Sequence, residues 1–126
     1  MRDVITSPDA PRSIGPFSQA IRAGGFVFVS GQVALDPATQ KVIESDDVAA
    51  QTEQILRNIT AILAAAGTSL DKVVRAGVYL RDMNDFGAMN GVYARHFPAE
   101  PPARTTIEVS RLPLDVRVEI DVVALA

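Results

Sequence analysis

Two segments in the last quarter of the chain hold the residue types from which a small-acid site can be built. In Pro101-Pro102-Ala103-Arg104-Thr105-Thr106, the prolines donate no backbone hydrogen bond and cannot occupy a central strand. They deliver the chain stiffly to a strand expected to begin at about Arg104, which then stands at the strand's mouth. In Val116-Arg117-Val118-Glu119-Ile120-Asp121-Val122, apolar residues alternate with charged ones at the period of a half-buried strand, so Glu119 points away from the apolar side. A fixed arginine can grip a carboxylate with two parallel N–H donors, and a partly enclosed glutamate can move a proton. Together they predict a site for a small acid. An ion pair that holds an interface between chains is the other reading of the same two residues.

Several elements must position these groups. Residues 18–22 and 26–30 predict a hairpin around Ala23-Gly24-Gly25, because glycine supplies the positive φ of a tight turn. Gly31, after Ser30, reads as a bulge or as bare backbone close to a ligand, and on these residues alone the bulge is favoured. Residues 1–16 read as loop with at most a short edge strand, 36–40 as a turn and 41–43 as a short extended piece. Val48, Thr52, Ile55, Leu56, Ile59, Ile62, Leu63 and Ala66 lie on one helical stripe, which predicts a helix from Asp46 or Asp47 to Ala66. Ser45 or Asp46 is its expected N-cap and Gly67 its C-terminal stop. Gln51 and Asn58 read as solvated or interhelix polar groups, not ligand contacts. Alternation over 71–80 predicts a central strand with Val74, Ala76, Val78 and Leu80 on one side. A second helix is expected from Asp82 or Asn84 to Phe97, with Phe86, Met89, Tyr93 and Phe97 in the core. Asn90 borders that buried face, where its amide needs partners.

Composition narrows the possibilities. The 126 residues suffice for one core and not for two, so 1–126 is expected to be a single domain. A net charge of −3, with the basic residues scattered, gives no field that would attract nucleic acid or an anionic membrane. The absence of cysteine excludes disulfides, thiolate nucleophiles and cysteine metal sites, and suits a reducing cytosol. No hydrophobic signal core opens the chain and no apolar run approaches about 20 residues, so a soluble cytoplasmic protein without a membrane partner is expected. His96 has no second histidine near it and reads as a surface residue compensating a helix dipole, not a metal ligand. Asp82-Met83-Asn84-Asp85 lacks the closing glutamate of a calcium loop and reads as helix capping. Gly24-Gly25 sits in a hairpin, not between a strand and a helix, which makes a nucleotide cradle a weak reading.

A further set of residues carries a resemblance. Its N-terminal markers are Ile14-Gly15-Pro16-Phe17-Ser18-Gln19-Ala20, Val29-Ser30-Gly31-Gln32 and Gln51-Thr52 with Asn58-Ile59. They continue through Val73-Val74-Arg75, Asp82-Met83 with Asp85-Phe86, Asn90 with Tyr93, Pro102-Ala103-Arg104, Leu112-Pro113 and Val118-Glu119-Ile120. In this order and spacing, from about residue 9 to the C-terminus, the chain resembles the Rid family, the reactive intermediate deaminases also called YjgF-type proteins.

The resemblance implies an α/β (α+β) fold like that of the small chorismate mutases, a mixed sheet with two helices on one face. It implies a homotrimer with ligand clefts between subunits, so that no single copy holds a whole site. The implied activity is hydrolysis of reactive enamines and imines, such as 2-aminoacrylate and its tautomer 2-iminopropionate, to a 2-keto acid and ammonia. No cofactor or metal is called for, because a protonated imine beside a carboxylate is already electrophilic. By position, Arg104 matches the residue that binds the substrate carboxylate and Glu119 the one that orients or activates water. Ser30, Gly31, Asn90 and Thr106 match positions that line the cleft. Phe17 stands where tyrosine is common, which removes a hydroxyl, and Thr106 where cysteine is frequent, which suggests that a thiol is not needed. The competing expectation is a non-catalytic trimer whose clefts bind small acids as a metabolite sensor, or whose surface acts on client proteins. Ribonuclease action or inhibition of translation ranks last, given the acidic balance.

Overall fold

The two periods of the sequence, 2 and 3.6, sort into two layers. A computed structural model describes residues 1–126. Its strands are β1 (Asp3–Ile5), β2 (Ala20–Ala23), β3 (Phe26–Gln32), β4 (Leu35–Asp36), β5 (Lys41–Val42), β6 (Val73–Leu80), β7 (Ala103–Glu108) and β8 (Val118–Leu125), and its helices α1 (Val48–Ala65) and α2 (Phe86–His96). Six strands form one sheet in the order β1-β2-β3-β8-β6-β7, while β4 and β5 make a separate ribbon. Only β6 and β7 run parallel, and α2 is the crossover that a parallel pair requires. The last strand, β8, inserts between β3 and β6, so the end of the chain closes the middle of the sheet.

The expected hairpin is present, with Gly24 and Gly25 at φ of +59° and +83° between β2 and β3. Ile55, Leu56, Ile59, Ile62 and Leu63 of α1 are fully enclosed against Val27, Val78, Val118 and Ile120 of the sheet. Both helices therefore cover one face, as expected of a mixed sheet with a helical layer. The cap of α1 is Asp47, whose carboxylate accepts from the Ala49 N–H; Ser45 instead accepts from the Asp47 N–H. No helix is long and apolar enough to cross a membrane.

Four further local expectations fail. Gln51 and Asn58 are buried rather than solvated. Gln51 accepts from the Arg117 N–H at 2.9 Å and donates to the Ser45 carbonyl, while Asn58 donates to the Leu35 carbonyl at 2.8 Å. These amides satisfy backbone groups at Ser45, Arg117 and the β4 residue Leu35 that would otherwise be buried against α1 without partners. In β6 the pairing with β8 slips between Val73 and Arg75, so Val73 is buried and Val74 turns outward. Phe86 is 40% exposed, while Val92, not among the expected core residues, is buried. His96 is mostly enclosed and sits 2.9 Å from Glu53 of α1, tying the two helices together.

The opposite face of the sheet has no covering layer in the chain. Phe26, Phe28, Ile107 and Leu125 are exposed, with the Phe26 and Phe28 rings 6.3 Å apart and Leu125 directly across from Phe26. Between them stand Tyr79, Glu119 and Asp121, alternating with the core residues of β6 and β8.

Candidate functional site

Glu119 lies between Val118 and Ile120, both wholly buried toward the helices, so its side chain leaves the sheet on the uncovered face. There it folds over Gly31. A Cβ on residue 31 would overlap the Glu119 Oε2 and lie 3.0 Å from Cδ and 3.4 Å from Cγ. Gly31 also falls where the pairing of β3 with β8 shifts, between Val29 and Gln32. Bulge and close approach thus coincide, and what approaches is the chain's own glutamate. Burial, with the charge of Asp121 adding to it, pushes the Glu119 carboxyl above the usual carboxylate range. Asp121 accepts from the Tyr79 hydroxyl at 3.0 Å, in space kept open by the missing side chain of Gly77.

A cavity of about 280 Å³ opens beside Glu119, lined also by Phe17, Gln19, Gly31 and Gln32. Its rim is tied down by Gln19, which is buried, accepts from the Ser7 N–H and donates to the Pro11 carbonyl. Phe17, about half exposed, stands on this tethered loop. Ser30 is adjacent, its hydroxyl donating to the Ser18 carbonyl at 2.6 Å, which leaves that oxygen free only to accept. Arg117, which sequence reasoning passed over, pairs with Asp46 at 2.9 Å and Asp85 at 3.2 Å. It pins the chain two residues ahead of Glu119 and so helps set where β8 begins.

Arg104 lies elsewhere. It extends from the edge strand β7 toward α2, its guanidinium carbon 4.6 Å from the centroid of the Tyr93 ring and 5.6 Å from that of Phe86. Cation–π contact holds the group in place. No carboxylate pairs with it, unlike Arg22, Arg57, Arg81, Arg95, Arg111 and Arg117. Its N–H donors are therefore uncommitted. A second cavity, of about 380 Å³, is lined by Asn90, Tyr93, Ala94, Phe97, Pro101, Pro102 and Arg104. The two prolines form part of its wall instead of only leading into the strand. Asn90 Oδ1, the Tyr93 hydroxyl and Thr106 Oγ1 are all buried without a hydrogen-bond partner. The expected core partner for the Asn90 oxygen is missing.

These features can be set beside known proteins. The Endoribonuclease L-PSP family model matches residues 7–126. A RutC family protein of Pyrococcus horikoshii, PH0854, is 52% identical over 124 residues, 98% of each chain. The chloroplastic Reactive Intermediate Deaminase A of Arabidopsis thaliana is 43% identical over 123 residues, 98% of this chain and 65% of that one. The chain belongs to the Rid family. The fold agrees, for the crystal structure of E. coli TdcF with bound serine superposes with a TM-score of 0.92 at 36% identity, over 98% of both chains.

In this Rid chain the two halves do not meet. Arg104 is level with Ala76 of β6, and Glu119 with Tyr79, on strands separated by β6 itself. Two strand spacings and three residues of rise put their Cα atoms about 14 Å apart. One side chain leaves toward the helices and the other away from them. A single copy thus assembles Phe17, Ser30, Gly31 and Glu119 on one side, and Asn90, Arg104 and Thr106 on the other. Tyr93 is in the main core as expected and also belongs with the second group, a role that sequence reasoning did not give it. The available signal was its spacing of three from Asn90 on one helix.

Chemically, the halves are complementary. The Arg104 side offers free donors and a fixed positive charge, which suit a carboxylate. The Glu119 side offers a carboxyl whose proton affinity is raised, which suits taking up and returning a proton near a bound water.

Proposed function

We propose that the protein hydrolyses enamine and imine intermediates of the 2-aminoacrylate and 2-iminopropionate type to 2-keto acids and ammonia. The observation that carries this reading is the uncommitted Arg104 guanidinium, held over two aromatic rings in a cavity where Asn90 Oδ1 and the Tyr93 hydroxyl are buried without partners. The relative named as a reactive intermediate deaminase supports it, as does the serine bound in TdcF, a small molecule with a carboxylate.

In the proposed site, Arg104 of one copy and Glu119 of a neighbour face the same substrate. The carboxylate docks on Arg104. Water, oriented by Glu119, adds to the imine carbon as Glu119 accepts one of its protons and the imine nitrogen, protonated, becomes an amine. The resulting carbinolamine loses ammonia when that proton passes from Glu119 to nitrogen, the C–N bond breaks and the hydroxyl becomes the ketone; the hydroxyl proton, taken by Glu119, leaves with ammonia as ammonium. Such proton transfer accounts for about a hundred- to ten-thousand-fold in rate. The uncovered sheet face, with Phe26, Phe28, Ile107 and Leu125, is the surface on which copies would associate into a trimer, burying apolar area that one chain leaves in water.

Phe17 favours a second reading. It is exposed beside Glu119 and offers no hydroxyl, which suits a cleft that binds keto acids without turning imines over. Nuclease action has less support, since 15 acidic residues outnumber 12 basic ones.

The test is to generate 2-aminoacrylate in situ and follow pyruvate release with and without the protein. Acceleration by the wild type, lost in Arg104→Ala and poorly restored by Arg104→Lys, is expected. Saturable pyruvate binding with no acceleration supports the sensor. An Arg104→Ala protein that deaminates normally but no longer associates makes Arg104 an interface residue instead.

A further inference from the structure

We infer that the Tyr93 hydroxyl is a second donor to the carboxylate that Arg104 binds, making Tyr93 a specificity-determining residue of the site as well as a core residue. The inference rests on the small-acid reading of the Arg104 cavity. Tyr93 is 5% exposed, and its ring packs in the main core with its centroid 4.6 Å from that of Phe97. Its hydroxyl nevertheless has no hydrogen-bond partner. A buried hydroxyl without a partner is a standing cost that phenylalanine, with the same ring, avoids. This helix already carries phenylalanine at position 86, and Phe97 follows its last residue, so apolar aromatics are not foreign to it.

Two further observations say what the hydroxyl meets. Tyr93 and Arg104 line the same cavity, and the guanidinium lies on the face of the Tyr93 ring, so a ligand gripped by Arg104 lies against the same side chain. Burial also pushes the phenol above its ordinary range, so it keeps its proton and acts as a donor toward an anion. Asn90, which lines the same cavity, also leaves its Oδ1 buried without a partner, which marks a place where a ligand completes the hydrogen bonding.

Tyr93→Phe tests this, because it removes one oxygen and keeps the ring. Binding of sodium pyruvate is measured by calorimetry for wild type, Arg104→Ala and Tyr93→Phe, with melting curves in the absence of ligand and steady-state deamination rates. Loss of one hydrogen bond to a charged group weakens pyruvate binding and raises KM by about ten- to 150-fold, with kcat within about twofold. The ligand-free melting temperature of Tyr93→Phe equals or exceeds that of wild type. Unchanged pyruvate affinity overturns the inference. So does a melting temperature lowered by several degrees, which reveals a structural partner for the hydroxyl. Failure of the underlying reading looks different, because wild type then ignores pyruvate or Arg104→Ala binds it equally well, and both proposals fall together.

Discussion

The carboxylate of Glu119 occupies the space that a side chain on Gly31 would need, so the two residues form one unit across β3 and β8. The consequence is testable. Gly31→Ala forces the flexible end of Glu119 to move, while the backbone around it can stay. The fold should lose little stability, about 1 kcal/mol or less, because the clash is with the end of a flexible side chain. Imine hydrolysis should fall by at least about tenfold. Melting curves and pyruvate-release rates on the same preparation check both halves. Full activity in the alanine variant would mean that the carboxylate's position over Gly31 is unimportant.

Glu119→Gln separates stability from chemistry. The carboxyl's folded value is raised above its unfolded one by burial first and Asp121 second. Its stabilising contribution is therefore present below the unfolded value and is lost as pH rises through the folded value. At neutral pH the neutral amide should melt at or above the wild-type temperature, and that advantage should vanish below about pH 4, where the glutamate is protonated in both states. The same variant should lose about a hundredfold or more in deamination. Paired melting curves from pH 3 to 8 decide the first point and a kinetic assay the second.

His96 and Glu53 work in the other direction. The hydrogen bond from His96 is the largest of the causes that lower the Glu53 carboxyl. This contribution is present above the unfolded carboxylate value and disappears as pH falls through the lowered folded one. His96→Ala should cost about 1 kcal/mol or less near neutrality. It should also flatten the acid limb of the stability profile and leave kcat unchanged. A denaturant titration at several pH values measures this, and an unchanged acid limb rules the tie out.

Phe28 tests the proposed association into a trimer. It is about half exposed on the uncovered face, beside Phe26. Phe28→Glu should convert a trimer to monomers in sedimentation velocity while leaving far-UV circular dichroism intact. Deamination should fall with the trimer, because Arg104 and Glu119 of one chain leave opposite faces of its sheet. A monomeric variant that retains activity would show that one chain holds a complete site.

Local order along the chain dictated a good deal. The stripe from Val48 to Ala66 defines α1, since residues three and four apart share a helix face whatever packs against them. The alternation around Glu119 defines its direction, because neighbours on a strand must point to opposite faces. Gly24-Gly25 located the hairpin turn for a similarly local reason, the positive φ that both adopt. Family membership, too, was legible from spaced markers.

Partners distant in sequence decided the rest. Gln51 and Asn58 are buried because the Arg117 N–H, 66 residues from Gln51, and the Leu35 carbonyl of β4, 23 residues from Asn58, come to rest against α1. Phe86 and Tyr93 share the Arg104 guanidinium, and Tyr93 becomes part of a cavity wall, because the edge strand brings Arg104 beside them. Which way Arg104 points was not readable from β7, where Ile107 faces outward while Arg104 and Thr106 turn inward. Its direction follows from the parallel register with β6, and Glu119's neighbours follow from β8 inserting beside β3. The sequence by itself determined the elements and the residue types able to do chemistry, since periodicity is a property of near neighbours. Only the tertiary structure divided those residues between two faces, because strand order and register are set by contacts between segments far apart in the chain.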